Sequence, residues 1–338
     1  MPLASPTASP CRLGLAVLLV AFLLAAPPAW AQDTGEGDAL PTIAEKTEGM
    51  TEKDGYFPVY WDDTTGKLWL EIPRLDTEVL YLSSLPTGLG SNPVGLDRGQ
   101  LGTQQIVRFE RTGPKVLLVA PNLDYRAASD NPEERAAVRE AFAPGVLWGF
   151  EVAAEGPDGH VLVDATDFVV RDAHGVARRL DDTGQGSYAL DAGRSVPVLD
   201  NVKAFPKNTE LEARLTFTTD GDPGEYVQRT AATPRAVTLR VRHSLVELPD
   251  TSGYSPRRFD PRSGLFYADY MDFATPIGES MTKRMVNRHR LTCAEPPGDD
   301  GLCPPEAPIV YYLDPGTPEP VRGALLDGAR WWGEAFEA

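Results

Sequence analysis

Histidine and cysteine are common zinc ligands in proteins, and their spacing in this 338-residue chain indicates whether they could bind zinc together. A zinc-protease motif needs two histidines one helical turn apart, with a glutamate between them, so that both imidazoles reach one metal. The four histidines are isolated from one another and form no His-x-x-x-His pair: His160, His174, His243 and His289. The sequence predicts that each is a surface or strand residue, and that this chain contains no catalytic residue and no metal ligand.

The cysteines Cys293 and Cys303 enclose a short segment that contains proline and glycine. In an oxidising compartment such a pair is expected to form a disulfide. Closing so short a loop should stabilise the folded chain by roughly 2 to 3 kcal/mol. The alternative is a free thiol held over a metal as an inhibitory latch, although two cysteines without a nearby histidine make a poor zinc site. The third cysteine, Cys11, lies near the start of the chain.

Other catalytic and ligand-binding motifs are absent or weak. No Gly-x-Ser-x-Gly elbow occurs, and no Gly-rich phosphate loop follows a strand pattern. The triplet at 182–184 matches that of aspartic proteases, but residues 178–181, three of which are charged, precede it instead of an apolar strand, and the triplet recurs at 33–35. Residues 220–225 contain carboxylates that could bind calcium. Since they lack EF-hand spacing, a solvated turn is the favoured interpretation.

The chain is strongly acidic, with 32 Lys and Arg against 49 Asp and Glu, for a formal charge of −17. This balance argues against a nucleic-acid partner, which would require basic patches. It also disfavours adhesion to anionic lipid. Residues 254–264 are an exception because they contain several arginines. Arginine pairs with carboxylates in a bidentate manner, so this segment is predicted to pin two parts of the chain together. The alternative is that it lines a groove or covers an active site.

The first 31 residues have the pattern of a cleavable secretory signal. Arg12 precedes an apolar run over 13–26, two prolines follow, and residues 29–31 match the A-x-A cleavage pattern. The alternative is an uncleaved anchor, but the run is shorter than the roughly 20 residues needed to span a bilayer. The sequence therefore predicts cleavage after Ala31, a periplasmic or extracellular location, and no membrane contact once the signal is removed.

The mature chain divides into a polar leader over 32–54, expected to be flexible apart from one helical turn at 43–46, and a β-rich domain over 55–250. Turn residues between neighbouring strand patterns predict hairpins, and the period-two alternation in 210–219 and 236–246 predicts two half-buried strands that pair. Helices are expected over 132–142, capped by Asn131 or Asp130, and over 167–180. The strand patterns cover 55–61, 67–72, 78–83, 105–110, 115–120, 146–152, 160–164, 210–219 and 236–246. The predicted fold class is α+β with a mostly antiparallel sheet.

The last part of the chain is expected to change character. Residues 251–306 form a connecting segment with the cysteine loop, and 307–314 have a strand pattern. A helix is predicted from Thr317, the expected cap, to Ala338. One apolar face follows helical spacing and contains Val321, Leu325, Gly328, Trp332 and Phe336. Because this face continues to the last residues, the chain is expected to be cut within the helix.

Five blocks of this sequence resemble large secreted bacterial zinc-dependent metalloproteases: residues 254–266, 270–273, 288–291, 309–314 and 331–336. In that family a signal peptide precedes a β-rich region of two domains of unknown function. A metzincin-type catalytic domain with an H-E-x-x-H-x-x-G-x-x-H zinc motif follows. The hairpins over 56–119 also resemble the front of the β-rich region, and 307–338 resembles the opening strand and helix of the catalytic domain.

The resemblance implies an N-terminal accessory region that scaffolds or shields a catalytic domain not present in these residues. Zinc is expected in the full-length protein and not in this chain, which should be inactive alone. The partners implied are the missing catalytic domain and a peptide substrate. An alternative is a free-standing secreted β-rich protein that binds peptide or glycan through the loop at 87–102 and exposed aromatic residues. A third interpretation is a calcium-stabilised adhesion module.

Overall fold

The structure of the protein is a computed structural model that describes residues 39–337. The predicted signal peptide, its cleavage position at Ala31 and Cys11 lie outside the described residues. Residues from Leu40 onward belong to one compact unit. No helix in the described part of the chain is both long and apolar enough to cross a membrane.

Strands dominate the described chain, and almost all of their pairings are antiparallel. The strands are β1 (Thr51–Lys53), β2 (Val59–Asp62), β3 (Lys67–Ile72), β4 (Val79–Ser84), β5 (Leu101–Thr112), β6 (Lys115–Ala120), β7 (Tyr125–Arg126), β8 (Gly145–Glu155), β9 (Val161–Asp164), β10 (Ala189–Leu190), β11 (Val196–Pro197), β12 (Lys203–Phe205), β13 (Asn208–Thr218), β14 (Ala236–Glu247), β15 (Tyr267–Asp272) and β16 (Thr282–Val286). The large sheet has the order β1-β2-β3-β9-β8-β6-β5-β4-β14-β13-β10, with β11 and β12 also pairing with β13. A second sheet has the order β16-β15-β7. The predicted β-rich α+β class is confirmed.

The predicted hairpins β2–β3, β5–β6 and β8–β9 are confirmed, because each has a local turn signal. In the first, Asp62 Oδ1 accepts a hydrogen bond from the Thr64 amide at 2.9 Å, and Gly66 adopts a left-handed φ of 69°. Glycine reaches this conformation without a steric penalty. The predicted pairing of β13 with β14 is also confirmed and runs from Asn208↔Val246 to Thr218↔Ala236.

One large cluster of buried side chains joins strands β2 to β14. Its largest fully buried side chains include the phenylalanines Phe57, Phe109, Phe168 and Phe217. Dense packing of this kind makes each large apolar side chain important for stability. The cluster therefore identifies the part of the chain that holds the large sheet together.

Six helices surround the sheets within the described residues: α1 (Ile43–Lys46), α2 (Pro132–Ala141), α3 (Thr166–Val169), α4 (Val176–Asp182), α5 (Glu225–Thr230) and α6 (Val321–Glu337). Helix α2 is confirmed, and Asn131 is its cap, accepting from the Glu133 amide at 3.0 Å. The single helix predicted over 167–180 is wrong. Asp172 and Gly175 divide it, because the Asp172 carboxylate caps the amides that open α4 and Gly175 has a left-handed φ of 80°.

The helical turn predicted at 43–46 is confirmed as α1, but the prediction that the rest of the leader over 32–54 is flexible is wrong for Thr42 and for residues 47–53. Thr42 caps the helical turn α1 with a capping box and bridges to Glu155. Ile43 is buried in a small cluster with Trp69, and β1 pairs with β2. A single buried isoleucine and one short strand at a sheet edge are sufficient to anchor a segment whose composition is polar.

The strand predicted over 307–314 is also wrong. These residues form no strand in the described structure, and Asp314 is held by an ion pair with Arg98 at 2.7 Å. A strand needs a neighbouring edge for its backbone groups, and the apolar pattern alone does not supply one. Helix α6 begins at Val321 rather than near Thr317, although the Pro318 carbonyl accepts from the Arg322 amide at 2.9 Å.

Candidate interaction surfaces

The predicted disulfide between Cys293 and Cys303 is confirmed. Backbone hydrogen bonds close a small hairpin around it, from Ala294 N–H to Pro304 O and from Glu306 N–H to Thr292 O, both at 2.8 Å. Almost all of this hairpin is exposed to solvent. The alternative of a free thiol over a metal is wrong, because both sulfurs are bonded to each other.

The arginine-rich segment 254–264 lies along the outer edge of β16. The Phe259 amide donates to the Arg284 carbonyl at 3.0 Å, and the Val286 amide donates to the Arg257 carbonyl at 2.9 Å. Arg262 pairs with Asp260 at 2.6 Å, within its own segment. The segment therefore covers a sheet edge mainly through its backbone, and Arg262 forms its ion pair locally.

Apolar side chains are exposed near the end of the described chain, on residues 309–312 and on the apolar residues of α6 from Val321 to Trp332, and this set is called the C-terminal apolar surface. Tyr311 is 87% exposed, Tyr312 92% and Trp331 69%. Val321 and Leu325 are also exposed. Contiguous exposed apolar groups on a soluble protein commonly indicate a protein–protein or ligand contact.

The histidines do not come together as a metal site. Among residues 39–337, no three His, Cys, Asp or Glu side chains form a group that could hold a metal ion. His160 binds Glu71 at 2.7 Å. In the turn considered for calcium, Arg235 pairs with the Asp222 carboxylate at 3.1 Å and donates to the Asp220 carbonyl at 2.8 Å. The described residues therefore offer no ligand set for zinc.

His243 lies on β14 inside the core, where a chain of hydrogen bonds fixes its neutral form. Arg171 can only donate, so its Nη2 donates to the Tyr81 oxygen at 2.7 Å. The Tyr81 hydroxyl then donates to His243 Nδ1 at 2.9 Å, which leaves Nε2–H to donate to the Val169 carbonyl at 3.1 Å. Burial, and next the charge of Arg171, lower the pKa of His243 to about 3.

We expect lowering the pH from 7 to 5 to remove about 2 kcal/mol of unfolding free energy through His243 alone. Its ordinary pKa of 6.5 applies to the unfolded chain, so that chain gains a proton below pH 6.5 while the folded chain stays neutral down to about pH 3. The contribution of His243 to the free energy of unfolding is therefore complete above pH 6.5 and is lost as the pH falls below that value. Urea unfolding at both pH values checks this. Between pH 7 and pH 5, the unfolding free energy of the His243→Gln variant should fall by about 2 kcal/mol less than that of the parent. Equal decreases in the two proteins would contradict the prediction. Exposed His289→Gln is the control and should behave as the parent does.

A groove that the sequence did not indicate lies beside β5. A cavity of about 500 Å³ is lined by 103–106 of β5, by 120–124 after β6, and by Ala143 and Gly145. A second cavity, of about 390 Å³, shares the wall 121–123 and lies under α2. Four arginines line this second cavity, which we call the arginine cavity: Arg108, Arg126, Arg135 and Arg139. They come from β5, β7 and α2, so no local pattern could have shown that all four line one cavity.

Fold and surfaces together define a β-rich α+β domain with an antiparallel sheet. Residues 99–294 match the family described as Domain of unknown function (DUF5117), and the chain belongs to this family. The match begins just before β5 and ends after β16, so it includes the groove beside β5, the arginine cavity and Cys293. No curated protein and no solved structure matches the chain.

Proposed function

We propose that this chain is the N-terminal accessory region of a secreted zinc-dependent metallopeptidase, where it scaffolds or shields a catalytic domain. The observation that carries the proposal is the C-terminal apolar surface. The side chains of Tyr311, Tyr312 and Trp331 are exposed to solvent, although burial of aromatic side chains is strongly stabilising. A partner that covers them would recover that energy.

The shape of this surface favours a folded domain as the partner. Residues 309–312 have the composition of a strand but lie outside any strand of the described structure. An added sheet edge would pair their backbone, and the apolar residues of α6 would then pack against the same sheet. This arrangement would match the opening strand and helix of the metzincin catalytic domains that residues 307–338 resemble. That domain would supply the zinc ligands.

Export is part of the proposal. The disulfide between Cys293 and Cys303 suits an oxidising compartment, in agreement with the signal pattern over 1–31. Outside the cytoplasm, a peptidase has no access to the cytoplasmic proteins of the cell that makes it. The periplasm or the extracellular space is therefore the proposed location.

The proposal can be tested with the gene and with the purified chain. The reading frame is expected to encode the zinc motif downstream, and the catalytic domain produced from it should bind this chain. Changing Tyr311, Tyr312 and Trp331 together to serine should weaken that binding at least tenfold, since buried aromatic residues dominate interfaces. Phe205→Ser is the control, because Phe205 is also exposed but lies on β12. Absence of the motif, or equal loss in the control, would refute the proposal.

The alternative of a free-standing peptide- or glycan-binding protein requires the loop at 87–102, together with exposed aromatic residues, to bind the ligand. Leu89, Val94 and Leu96 of this loop are buried in the main cluster. The Leu89 amide donates to the Leu96 carbonyl at 2.8 Å, which closes the loop on itself. Its apolar side chains therefore support the fold and are not available to a ligand.

A further inference from the structure

Strand β5 pairs with a different strand along each half of its length. Its partners on β6 run from Arg108↔Val119 to Thr112↔Lys115. On β4, its partners run from Val79↔Val107 to Ser84↔Leu101. The chain leaves the sheet after Ala120, the last residue of β6. Residues 101–107 therefore have β4 on one side, and no strand of the described residues pairs with them on the other.

The direction of the backbone groups follows from two contacts. The Phe109 carbonyl accepts from the Asp76 amide at 2.8 Å, which places the backbone groups of Phe109 on the β4 side. Thr112 and Lys115 close a two-residue turn, so Thr112 directs its groups to the β6 side. Because the direction alternates along a strand, Ile106 and Gln104 point their N–H and C=O groups to the unpaired side.

The cavity beside β5 has the position and the walls that an added strand requires. It is lined by 103–106 on one side and by Ala143 and Gly145 on the other. Gly145 pairs with Ala120 where β6 ends, so the cavity continues the line of β6. An extended peptide placed there would meet the free backbone groups of Gln104 and Ile106.

The arginine cavity adds a charge preference. Arg108 is bound to Glu110 at 2.6 Å, whereas Arg139 has no hydrogen bond or ion pair within the described chain. Glu78 is the only carboxylate in the lining. Four guanidinium groups against one carboxylate make a cationic site on a chain of formal charge −17. Its chemical complement is a carboxylate.

Packing holds the arginine cavity in shape. The rings of Tyr125 and Phe142 stack with centroids 3.8 Å apart. The Arg126 Nε donates to the Leu123 carbonyl at 2.8 Å, and its guanidinium lies 4.4 Å from the centre of the Tyr270 ring. These contacts fix Arg126 before any ligand arrives, which lowers the entropy lost on binding.

The geometry points to β5 as the docking edge for an extended acidic peptide, which adds a strand beside Gln104 and Ile106 and places a carboxylate in the arginine cavity. Backbone pairing of this kind supplies affinity, while side-chain pockets supply specificity. The lining of the groove beside β5 contains a carboxylate, Asp124, whereas the arginine cavity contains four arginines, so the acidic group of the peptide belongs in the arginine cavity. This inference is independent of the proposed accessory role.

The first experiment uses the full chain and a fluorescently labelled peptide of alternating valine and threonine that ends in two glutamates. Two N-methylated versions are compared, each blocking every second amide. Because only alternate amides of an added strand face β5, one version should bind at least tenfold more weakly while the other binds like the parent. Equal effects of both versions, or no change in anisotropy with the unmethylated peptide, would overturn the proposal.

The second experiment tests the carboxylate. Arg139→Gln should weaken binding about fivefold, the size expected of a partly exposed ion pair. Arg178→Gln, an exposed arginine on α4, is the control and should leave binding unchanged. Replacing the two glutamates of the peptide by glutamine, or amidating its C-terminus, shows which carboxylate is bound. Binding that is unchanged after both modifications would overturn the proposed preference of the arginine cavity for a carboxylate. Dimerisation of the chain that competes with the peptide would assign the edge to a second copy instead.

Discussion

Replacing Phe168 with alanine is expected to lower the free energy of unfolding by about 4 kcal/mol. The Phe168 side chain is 1% exposed. Its ring centre lies 5.4 Å from that of Phe150, 5.1 Å from that of His243 and 6.0 Å from that of Tyr81. Truncation would remove these contacts and leave a cavity next to the polar chain through His243, where neighbours cannot relax without breaking hydrogen bonds.

Chemical denaturation of the purified chain measures this effect. Phe168→Leu, which retains most of the apolar volume, should lose only about 1 kcal/mol. Phe205→Ala is the matched surface control and should lose less than about 1 kcal/mol, because Phe205 is exposed. A loss of under about 2 kcal/mol for Phe168→Ala would mean that the core can collapse around the missing ring.

Replacing Glu212 with glutamine should lower the unfolding free energy by about 2 to 3 kcal/mol. The Glu212 side chain is fully buried on β13. Its Oε1 accepts from Arg240 at 2.9 Å and from Asn201 at 2.6 Å, and its Oε2 accepts from Arg242 at 2.7 Å. Glutamine keeps one acceptor but turns an N–H₂ group toward guanidinium donors. Removing one partner of a buried pair costs about 3 to 5 kcal/mol, and the partly exposed arginines reduce that loss.

Urea unfolding again provides the measurement for Glu212. Glu247→Gln is the control, because Glu247 forms a surface pair with Lys207 at 3.6 Å on the same sheet. Exposed pairs contribute about 0 to 1 kcal/mol. If the two variants were equally stable, the charge at the centre of β13 would have no structural role.

The sequence predicts best those parts of the fold that are determined by neighbouring residues. Strand alternation in β13 and β14, the turn at Asp62 and the Asn131 cap are all local signals. The interpretation of β13 as half-buried is less accurate. Residues around Asn201 cover its second face, and Glu212 is therefore buried while the arginines that bind it remain partly exposed. Burial of that face depends on a distant loop, which alternation cannot report.

The same reasoning explains the other differences. The apolar pattern at 309–312 satisfies the requirements of a strand but finds no edge in the described structure. In the arginine cavity, Arg108 lies on β5 and Arg139 on α2, and only the fold brings them to one wall. The open side of β5 along residues 101–107 depends on where β6 ends, a property of two strands together.

The parallel pairing of β7 with β15 has a consequence for the order of events during synthesis. Met271 pairs with Tyr125, and the Asp272 carboxylate accepts from the Ala128 amide, a contact between residues 144 positions apart. Chains emerge from the ribosome N-terminus first. The strands of the large sheet are thus all synthesised before β15, whereas Tyr125 and Phe142 must wait for Phe273 to complete their aromatic cluster. A released chain that ended after β14 would contain every strand of the large sheet but would have an incomplete aromatic cluster beside α2.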